Sequence, residues 1–295
     1  MSAPAFLLVL SAAFAHAAWN IIAHSSSRTG LPFLWWGSLA SALIWGCVVP
    51  FTGGFGGADL AGFLMGAGVS AVLHVGYMLL LQRGYATGDL STVYATARGT
   101  GPLLTVLVAV LVLGERPAPL AILGVLVLLL GIIALGFIGR ETPSVRSGAG
   151  CGAFRLDAGL RYGLATGVAI AAYTIWDTHA LREWSLSPVS FMVGCVVLEI
   201  PLYSLTVWNR RRDLMPTLRE QWVRLLAFGV LSPLSYILVL TAITLAPVAL
   251  VAPVREVSVV LVSLFGVIVF KEARPVARVV AAGVVVGGLV LLSLP

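Results

Sequence analysis

The chain has 295 residues, of which 59% are apolar and only 10% charged, and its mean hydropathy is +1.03. Soluble globular proteins contain about 45–50% apolar and about 25% charged residues, so this composition excludes a soluble enzyme. The net charge of +6 is explained by basic loops that orient a membrane protein, and it does not indicate nucleic-acid binding.

Ten apolar segments follow one another along the chain, each close to the length of about 20 residues that a membrane-spanning helix needs. They are residues 3–23, 33–51, 61–82, 90–113, 118–138, 160–180, 188–208, 222–244, 247–269 and 276–294. Their continuous apolar character favours helices over a β-barrel. The sequence therefore predicts an all-α integral membrane protein with ten transmembrane helices in the lipid bilayer.

Prolines mark several predicted helix starts, where a missing N–H costs nothing. They are Pro32, Pro117, Pro119, Pro188 and Pro275. In the ninth segment, Pro247 and Pro253 predict a kink or an unwound stretch just before Arg255. Glu115 and Glu272 are predicted to cap the helices that follow them.

Glycines at four-residue spacing predict close helix packing at two places. They are Gly159, Gly163 and Gly167 in the sixth segment, and Gly283 and Gly287 in the tenth. Either group serves equally well as a dimer contact.

An internal repeat emerges when the two halves of the chain are aligned at an offset of 157 residues. The aligned pairs are Trp19 with Trp176, Asn20 with Asp177, Ala95 with Ala252, Arg98 with Arg255, Glu115 with Glu272 and Gly131 with Gly288. The predicted units are residues 1–139 and 159–295, joined by a cytoplasmic linker at 140–158. Because each unit has five helices, the two units must be inverted in the bilayer, as in many secondary transporters.

The distribution of basic residues predicts the orientation of the chain. Fourteen of the 18 Lys and Arg residues lie in or beside odd-numbered loops and two in even-numbered loops. The positive-inside rule therefore places the odd loops in the cytoplasm and both termini in the periplasm of a bacterial inner membrane.

Charged and aromatic residues inside the apolar segments are the candidates for substrate binding or gating, since a charge at bilayer depth normally faces a partner or a wet cavity. The candidates are His16, Trp19, Asn20, Tyr77, Tyr94, Arg98, Tyr173, Trp176, Asp177, Tyr236, Arg255 and Glu256. A purely structural ion pair is the competing interpretation. Glu199 has no counterpart in the other half, and the structural and functional interpretations are equally weighted for it.

The repeat suggests that these candidates form two gates around one cavity. Trp19, Asn20 and Arg98 are expected towards the cytoplasmic side, and the matching Trp176, Asp177 and Arg255 towards the outer side. Interfacial aromatic anchoring is the alternative role for the two tryptophans.

Signatures of other chemistry are missing from the sequence. It contains no HExxH, GxxxxGK[ST] or GxSxG motif, which argues against an enzyme, a metal site, a bound cofactor or ATP-driven transport. Its three cysteines form no CxxC motif, so neither a disulfide framework nor a thiolate metal site is expected.

Two pairs of sequences resemble a known family. The first pair is AHAAWNIIAHSSSR and IAAYTIWDTHALRE, and the second is YATARGTGPLLTVLVAVLVLGE and VAPVREVSVVLVSLFGVIVFKE. With ten helices in two repeats, the chain is similar to EamA-type transporters of the drug/metabolite transporter superfamily, and within them to YddG-like bacterial amino-acid exporters. This resemblance implies a metabolite carrier with a central cavity between its halves.

The function expected from these observations is export or facilitated passage of amino acids, aromatic or otherwise neutral, by alternating access. Arg98 or Arg255 is expected to bind the substrate carboxylate, and Asp177 or Glu256 its ammonium group. Aromatic side chains are expected to receive its apolar part; they are Trp19, Trp176, Tyr77, Tyr94 and Tyr236. The alternatives are a carrier of nucleotide-sugars, drugs or other anions, and a membrane enzyme that acts on lipid. The chain is expected to act as a monomer or homodimer.

Overall fold

The computed structural model describes residues 1–24, 30–54, 56–87, 90–138, 158–269 and 274–293. Over these ranges, helices joined by short connections follow the predicted segments closely, and the ninth segment is divided in two. The helices are α1 (Ala3–His24), α2 (Leu31–Gly46), α3 (Leu60–Thr87), α4 (Leu90–Leu111), α5 (Pro119–Ile138), α6 (Ala158–Glu183), α7 (Pro188–Val207), α8 (Leu214–Leu245), α9 (Val248–Arg255), α10 (Val257–Val269) and α11 (Pro275–Ser293). Nearly all of the predicted linker, residues 140–157, lies outside the described residues.

The helices have the length and surface of membrane-spanning elements. Six helical stretches of the described residues are long and apolar enough to cross a membrane, and two shorter apolar helices accompany them. Large apolar side chains also point outward: Leu130 is 64% exposed, Leu205 77% and Val276 75%. Helices satisfy their own backbone hydrogen bonds, as a bilayer interior requires. The predicted class, an all-α integral membrane protein, is confirmed.

Proline positions explain where several helices begin. Pro32 lies in the first turn of α2, and Pro119, Pro188 and Pro275 are the first residues of α5, α7 and α11. The first turn of a helix leaves its N–H groups without intrahelical partners, so proline is tolerated there. Pro117 differs from the prediction, because it lies in the connection before α5.

The ninth segment is broken at Glu256, between α9 and α10. The kink predicted just before Arg255 is wrong in position, because Val248–Arg255 form the continuous helix α9 and the break follows Arg255. Pro253 lies inside α9 and has no N–H to donate to the preceding turn. The Glu256 N–H instead donates to the Pro253 carbonyl at 3.0 Å, and the helix restarts at Val257. The break therefore places Arg255 and Glu256 at the junction of two short helices. The corresponding stretch of α4 stays a continuous helix despite Pro102.

The helices pack in symmetric pairs. α1 packs against α8 as α6 packs against α3, and α2 packs against α8 as α7 packs against α3. α2 also contacts α7, and α5 contacts α11, which are the matching helices of the two predicted units. This is the arrangement expected of two related five-helix units with a two-fold relationship.

α5 and α11 approach so closely that glycine is required at their contact. A Cβ atom on Gly131 would lie 2.6 Å from Val285 Cγ2, and one on Gly288 would lie 2.5 Å from the Leu128 backbone nitrogen. Both pairs, Gly131 with Gly288 and Leu128 with Val285, are related by the offset of 157 residues. Each helix therefore makes the same contact with the other, which supports the internal repeat independently of its charged residues.

The other predicted glycine contacts have mixed outcomes. The small-residue face of α6 is confirmed, because a Cβ atom on Gly163 or Gly167 would lie 2.7 Å from a threonine of α4. The face predicted for α11 makes no close contact within the part of the chain that the structure describes, since no described atom lies within 4 Å of the Cβ position of Gly283 or Gly287. α11 uses Gly288 instead, which is one position further and therefore on another face of the helix.

Polar contacts join the even-numbered connections to one another. Gly57 N donates to the Ser185 carbonyl at 3.0 Å, next to an antiparallel bridge between Gly56 and Leu186. Arg182, near the end of α6, donates to the Ala246 carbonyl after α8 at 3.1 Å. The connections after α2, α6 and α8 are therefore held together at this end of the molecule.

Glu115, in the connection after α4, belongs to the same set of contacts. It forms a 2.9 Å ion pair with Arg182, and its two oxygens accept hydrogen bonds from Val248 N at 3.0 Å and Ala249 N at 2.9 Å. The prediction that Glu115 caps the helix that follows it is wrong, because it caps α9, whose free N–H groups lie within reach. Glu272, the other residue of that prediction, lies outside the described residues.

The substitution Gly288→Ala tests the contact between α5 and α11. The added methyl group has no space beside the Leu128 backbone, so overpacking is expected to destabilise the fold by about 1–3 kcal/mol. Gly287→Ala is the matched control on the same helix, and open space at its Cβ position predicts little change. Thermal unfolding of the purified variants in detergent measures both effects, and equal midpoints for the two variants would contradict the described packing.

Candidate functional site

A cavity of about 110 Å³ lies between helices α1 to α4 and α6 to α9. A cavity needs roughly 10–15 Å³ to hold one water molecule, so this one has room for several. Seven of the twelve predicted site residues line this cavity. They are His16, Trp19, Tyr77, Arg98, Tyr173, Tyr236 and Arg255.

Two arginines from different halves of the chain share one buried carboxylate beside the cavity. Arg98 Nη1 lies 3.1 Å from Glu256 Oε2, and Arg255 Nη2 lies 3.2 Å from Glu256 Oε1. Glu256 is fully buried, while Arg98 and Arg255 keep small exposed fractions at the cavity wall. The offset places Arg98 and Arg255 at matching positions, and the fold brings both to the same carboxylate. The prediction that they occupy opposite sides of the cavity does not match this geometry.

His16 completes the charged cluster from α1. Its Nε2 atom lies 3.0 Å from Arg98 Nη2. A guanidinium group has only donors, so Nε2 accepts the hydrogen bond, and His16 is neutral with its proton on Nδ1. The cluster therefore contains two positive groups, one negative group and a neutral imidazole, and it leaves one net positive charge at the cavity wall.

The energetic cost of this cluster argues for a role beyond packing. Removing two or three charges from water costs several kcal/mol per ion, and an apolar replacement of such a triad is often neutral or stabilising. A charged group in a membrane helix is retained mainly where it faces a partner or a solute pathway. Glu256 accepts from only two of the five N–H donors of Arg255, on Nε and Nη2. The remaining N–H groups of Arg255 have no hydrogen-bond partner among the residues that the structure describes, and Arg255 lines the cavity.

Another part of the cavity lining consists of aromatic rings, in contrast to the charged cluster. The His74 and Tyr173 rings lie 4.1 Å apart, Tyr77 and Tyr173 5.6 Å, and Tyr173 and Tyr236 6.1 Å. All four residues line the cavity. Rings at these separations pack favourably against each other and offer faces to an apolar group.

Asp177 lies behind the aromatic rings and does not line the cavity. Its Oδ2 atom accepts a hydrogen bond from the Tyr236 hydroxyl, and the residue is fully buried. Its Oδ1 atom has no hydrogen-bond partner among the described residues. The predicted direct contact between Asp177 and a substrate ammonium therefore does not match the described cavity, and Asp177 orients Tyr236 instead.

The two repeat-related tryptophans occupy different environments. Trp19 lines the cavity and packs against His16 and Phe228, with ring centroids 5.0 and 5.3 Å apart. Trp176 instead donates to the Gly66 carbonyl at 2.9 Å and is not part of the lining. The symmetric pair of tryptophan gates that the repeat predicts is therefore absent from the described conformation.

Two further predicted residues contact neighbouring residues and do not line the cavity. Asn20 donates its side-chain amide to the His16 carbonyl within α1 at 2.7 Å. The Tyr94 ring lies beneath the Arg98 guanidinium group, 5.4 Å from its central carbon. This cation–π contact holds Arg98 in place towards Glu256.

The cavity also contains polar residues that sequence analysis did not place in the site. Glu199 and Tyr203 of α7 and Ser38 and Ser41 of α2 line it. Ser38 Oγ donates to Glu199 Oε2 at 3.3 Å. Glu199 is the only charged residue in its apolar segment, and this feature of the sequence could have identified it as a site residue. It was not assigned to the site because the first half of the chain has no matching charged residue.

These observations define a class of protein: a multi-pass helical membrane protein with a charged and aromatic cavity where its two halves meet. That architecture belongs to membrane carriers. Residues 157–294 match the model of the EamA-like transporter family. The second half of the chain is an EamA-like transporter domain, and the predicted resemblance to EamA-type transporters is confirmed. The protein is thus a membrane transporter of small solutes.

A solved structure extends this likeness to the whole chain. One structure, described as the crystal structure of a protein, has a TM-score of 0.76 at 18% sequence identity, and the match covers 99% of this chain and 97% of the other. At that identity the match shows a shared fold alone. A comparison with curated proteins finds no match.

The substitution Glu256→Gln tests the shared carboxylate. Removing its charge leaves Arg98 and Arg255 uncompensated in a buried site, which is expected to cost about 3–5 kcal/mol of stability. Asp213→Asn is the control, because Asp213 pairs with Arg210 on the exposed surface, with side chains about half exposed, where such pairs contribute about 0–1 kcal/mol. Thermal unfolding in detergent distinguishes the two, and a Glu256→Gln protein as stable as the wild type would refute the buried cluster.

Proposed function

We propose that the protein is a secondary transporter that exports neutral amino acids, aromatic ones included, or lets them pass down their gradient. It lies in the bacterial inner membrane as a monomer or homodimer. Residues 1–139 and 159–295 form inverted units that rock around the cavity in an alternating-access cycle. The proposal depends above all on one observation: the cavity combines buried guanidinium groups from both halves with a continuous aromatic wall.

The chemistry of the lining suits a small zwitterion. A carboxylate binds to guanidinium groups through short, charge-assisted hydrogen bonds, and Arg98 and Arg255 both reach the cavity wall. The rings of Tyr77, Tyr173 and Tyr236 offer the apolar surface that an amino-acid side chain requires. The volume of about 110 Å³ leaves room for a small solute.

The same features disfavour the alternative substrates. A nucleotide-sugar has several charged phosphate oxygens and is much larger than the cavity. Glu256, behind the cavity wall, already compensates part of the charge of Arg98 and Arg255, and Glu199 adds a carboxyl group to the lining itself, which opposes binding of a multiply charged anion. An enzyme acting on lipid requires its reactive groups near the bilayer surface, whereas these charged groups are enclosed by helices.

The two-unit cycle is supported by symmetric packing. The contact of Gly131 with Val285 matches that of Gly288 with Leu128, and α1 packs on α8 as α6 packs on α3. An odd number of helices in each unit inverts one relative to the other, which is the symmetry that alternating access uses.

Counterflow in proteoliposomes tests the proposed substrate class. Vesicles preloaded with a neutral amino acid are expected to accumulate the labelled form when the protein is present. Arg255→Gln is expected to lower uptake at least about tenfold, since a lost hydrogen bond to a charged group is worth about 1.5–3 kcal/mol. Arg98 still neutralises Glu256 in this variant, so the fold is retained.

Arg224→Gln is the matched control, because Arg224 lies on the exposed surface of α8. Its uptake is expected to equal that of the wild type. Failure of the wild-type protein to exchange any amino acid across a full panel, while uptake of an anionic metabolite proceeds, would replace the proposed substrate class with the anionic one.

The natural cysteines test the proposed orientation. Cys47 is exposed after α2, in an even-numbered connection, and Cys151 belongs to the predicted cytoplasmic linker. In single-cysteine variants, a membrane-impermeant maleimide is expected to label Cys47 in intact spheroplasts. Labelling of Cys151 is expected only after the membrane is opened. The reverse pattern would invert the proposed topology.

A further inference from the structure

Three carboxylates lie in or beside the cavity, and two of them do not line it. Glu256 is bound by both Arg98 and Arg255. Asp177 accepts a hydrogen bond from the Tyr236 hydroxyl and is fully buried behind the cavity wall. Neither presents a free carboxylate oxygen to a solute in the cavity.

The third carboxylate, Glu199 of α7, is different. It lines the cavity directly, and its described hydrogen bond is a long one of 3.3 Å from the neutral hydroxyl of Ser38. None of the ion pairs among the described residues includes Glu199. An ionised carboxylate within a membrane helix is costly without a cation or further hydrogen bonds. Glu199 therefore has no cationic partner among the described residues, and an ammonium group in the cavity would supply one.

We infer that Glu199 is the ammonium-binding residue of the cavity, and that the ligand class is a primary amine, free or as part of an amino acid. An ammonium group carries one positive charge and three N–H donors. Glu199 supplies the opposite charge, and the lining hydroxyl groups of Ser41 and Tyr203 are further acceptors. This assignment replaces the sequence-based expectation that Asp177 or Glu256 binds the ammonium group.

The inference deepens the proposed amino-acid transport and rests on it for the second charge of the substrate. The cavity has a net positive cluster at Glu256 with its two arginines, and a single negative group at Glu199. A zwitterion matches both charges at once. A ligand with only the ammonium group matches Glu199 alone, which allows the two ideas to be tested separately.

The test uses three probes of similar shape: L-leucine, N-acetyl-L-leucine, which lacks the ammonium charge, and isopentylamine, which lacks the carboxylate. Binding is measured by ligand-induced thermal stabilisation of the whole protein in detergent, and uptake of leucine by counterflow. The wild type is expected to bind leucine and isopentylamine, and N-acetyl-L-leucine at least about tenfold more weakly.

Glu199→Gln keeps the shape of the side chain and its hydrogen bond from Ser38 but removes its charge. This variant is expected to bind isopentylamine at least about tenfold more weakly than the wild type, while its affinity for N-acetyl-L-leucine stays unchanged. Glu220→Gln removes an exposed carboxylate of α8 and is expected to bind all three probes as the wild type does.

Each outcome decides the matter. If isopentylamine binds the wild type and Glu199→Gln equally, or does not bind the wild type at all, the inference is overturned. If leucine is not transported but isopentylamine binds in a manner that depends on Glu199, amino-acid transport fails and the ammonium site stands. Should Glu199→Gln not fold, Glu199→Asp replaces it. The shorter acid is expected to weaken the binding of isopentylamine and L-leucine and to leave N-acetyl-L-leucine binding unchanged. Unchanged isopentylamine binding overturns the inference.

Discussion

The arrangement of the cavity depends on the position of one carboxylate, that of Glu256, at the break between α9 and α10. In a continuous helix, neighbouring side chains point in different directions and do not face each other. The break lets the Arg255 guanidinium group turn back onto the carboxylate of the next residue, with Nε and Nη2 both within 3.3 Å of Oε1. Arg98 then reaches the other oxygen from α4. The break in the helix at Glu256 thus makes a three-charge cluster geometrically feasible.

The same cluster connects the two halves of the chain through a very short helix. α9 has eight residues, all buried. Glu115 caps its first turn at Val248 and Ala249, and Arg98 binds Glu256 immediately after its last residue. Both contacts come from the first half of the chain and act on the second. α9 is therefore held at each end by a charge from the other half, and any relative motion of the halves must lengthen or exchange at least one of these contacts.

The sequence was sufficient for the helices because bilayer thickness and backbone hydrogen bonding leave little freedom. It also identified Arg98 and Arg255, since charges that recur at the repeat offset are rare in apolar segments. It was insufficient for the partners of these charges. Hydropathy does not reveal which face of a helix meets the cavity, so Trp176 and Asp177 were placed in the lining and Glu199 was not. Repeat symmetry was misleading here, because a cavity that binds an asymmetric solute needs different residues on its two sides.

The two halves of the chain contribute different charged residues to the cavity, and this difference bears on substrate specificity. Arg98 and Arg255, which are related by the repeat, both bind Glu256. This cluster has a net positive charge and lies on one part of the cavity wall. The position related to Glu199 by the repeat offset is occupied by Ala42, which has no charge. This negative charge therefore exists in one half only, and the cavity acquires a dipole that a perfectly symmetric pair of units would cancel. A solute with separated charges, such as an amino acid, interacts with both ends of this dipole, whereas an anion or a cation gains from one end and is opposed by the other.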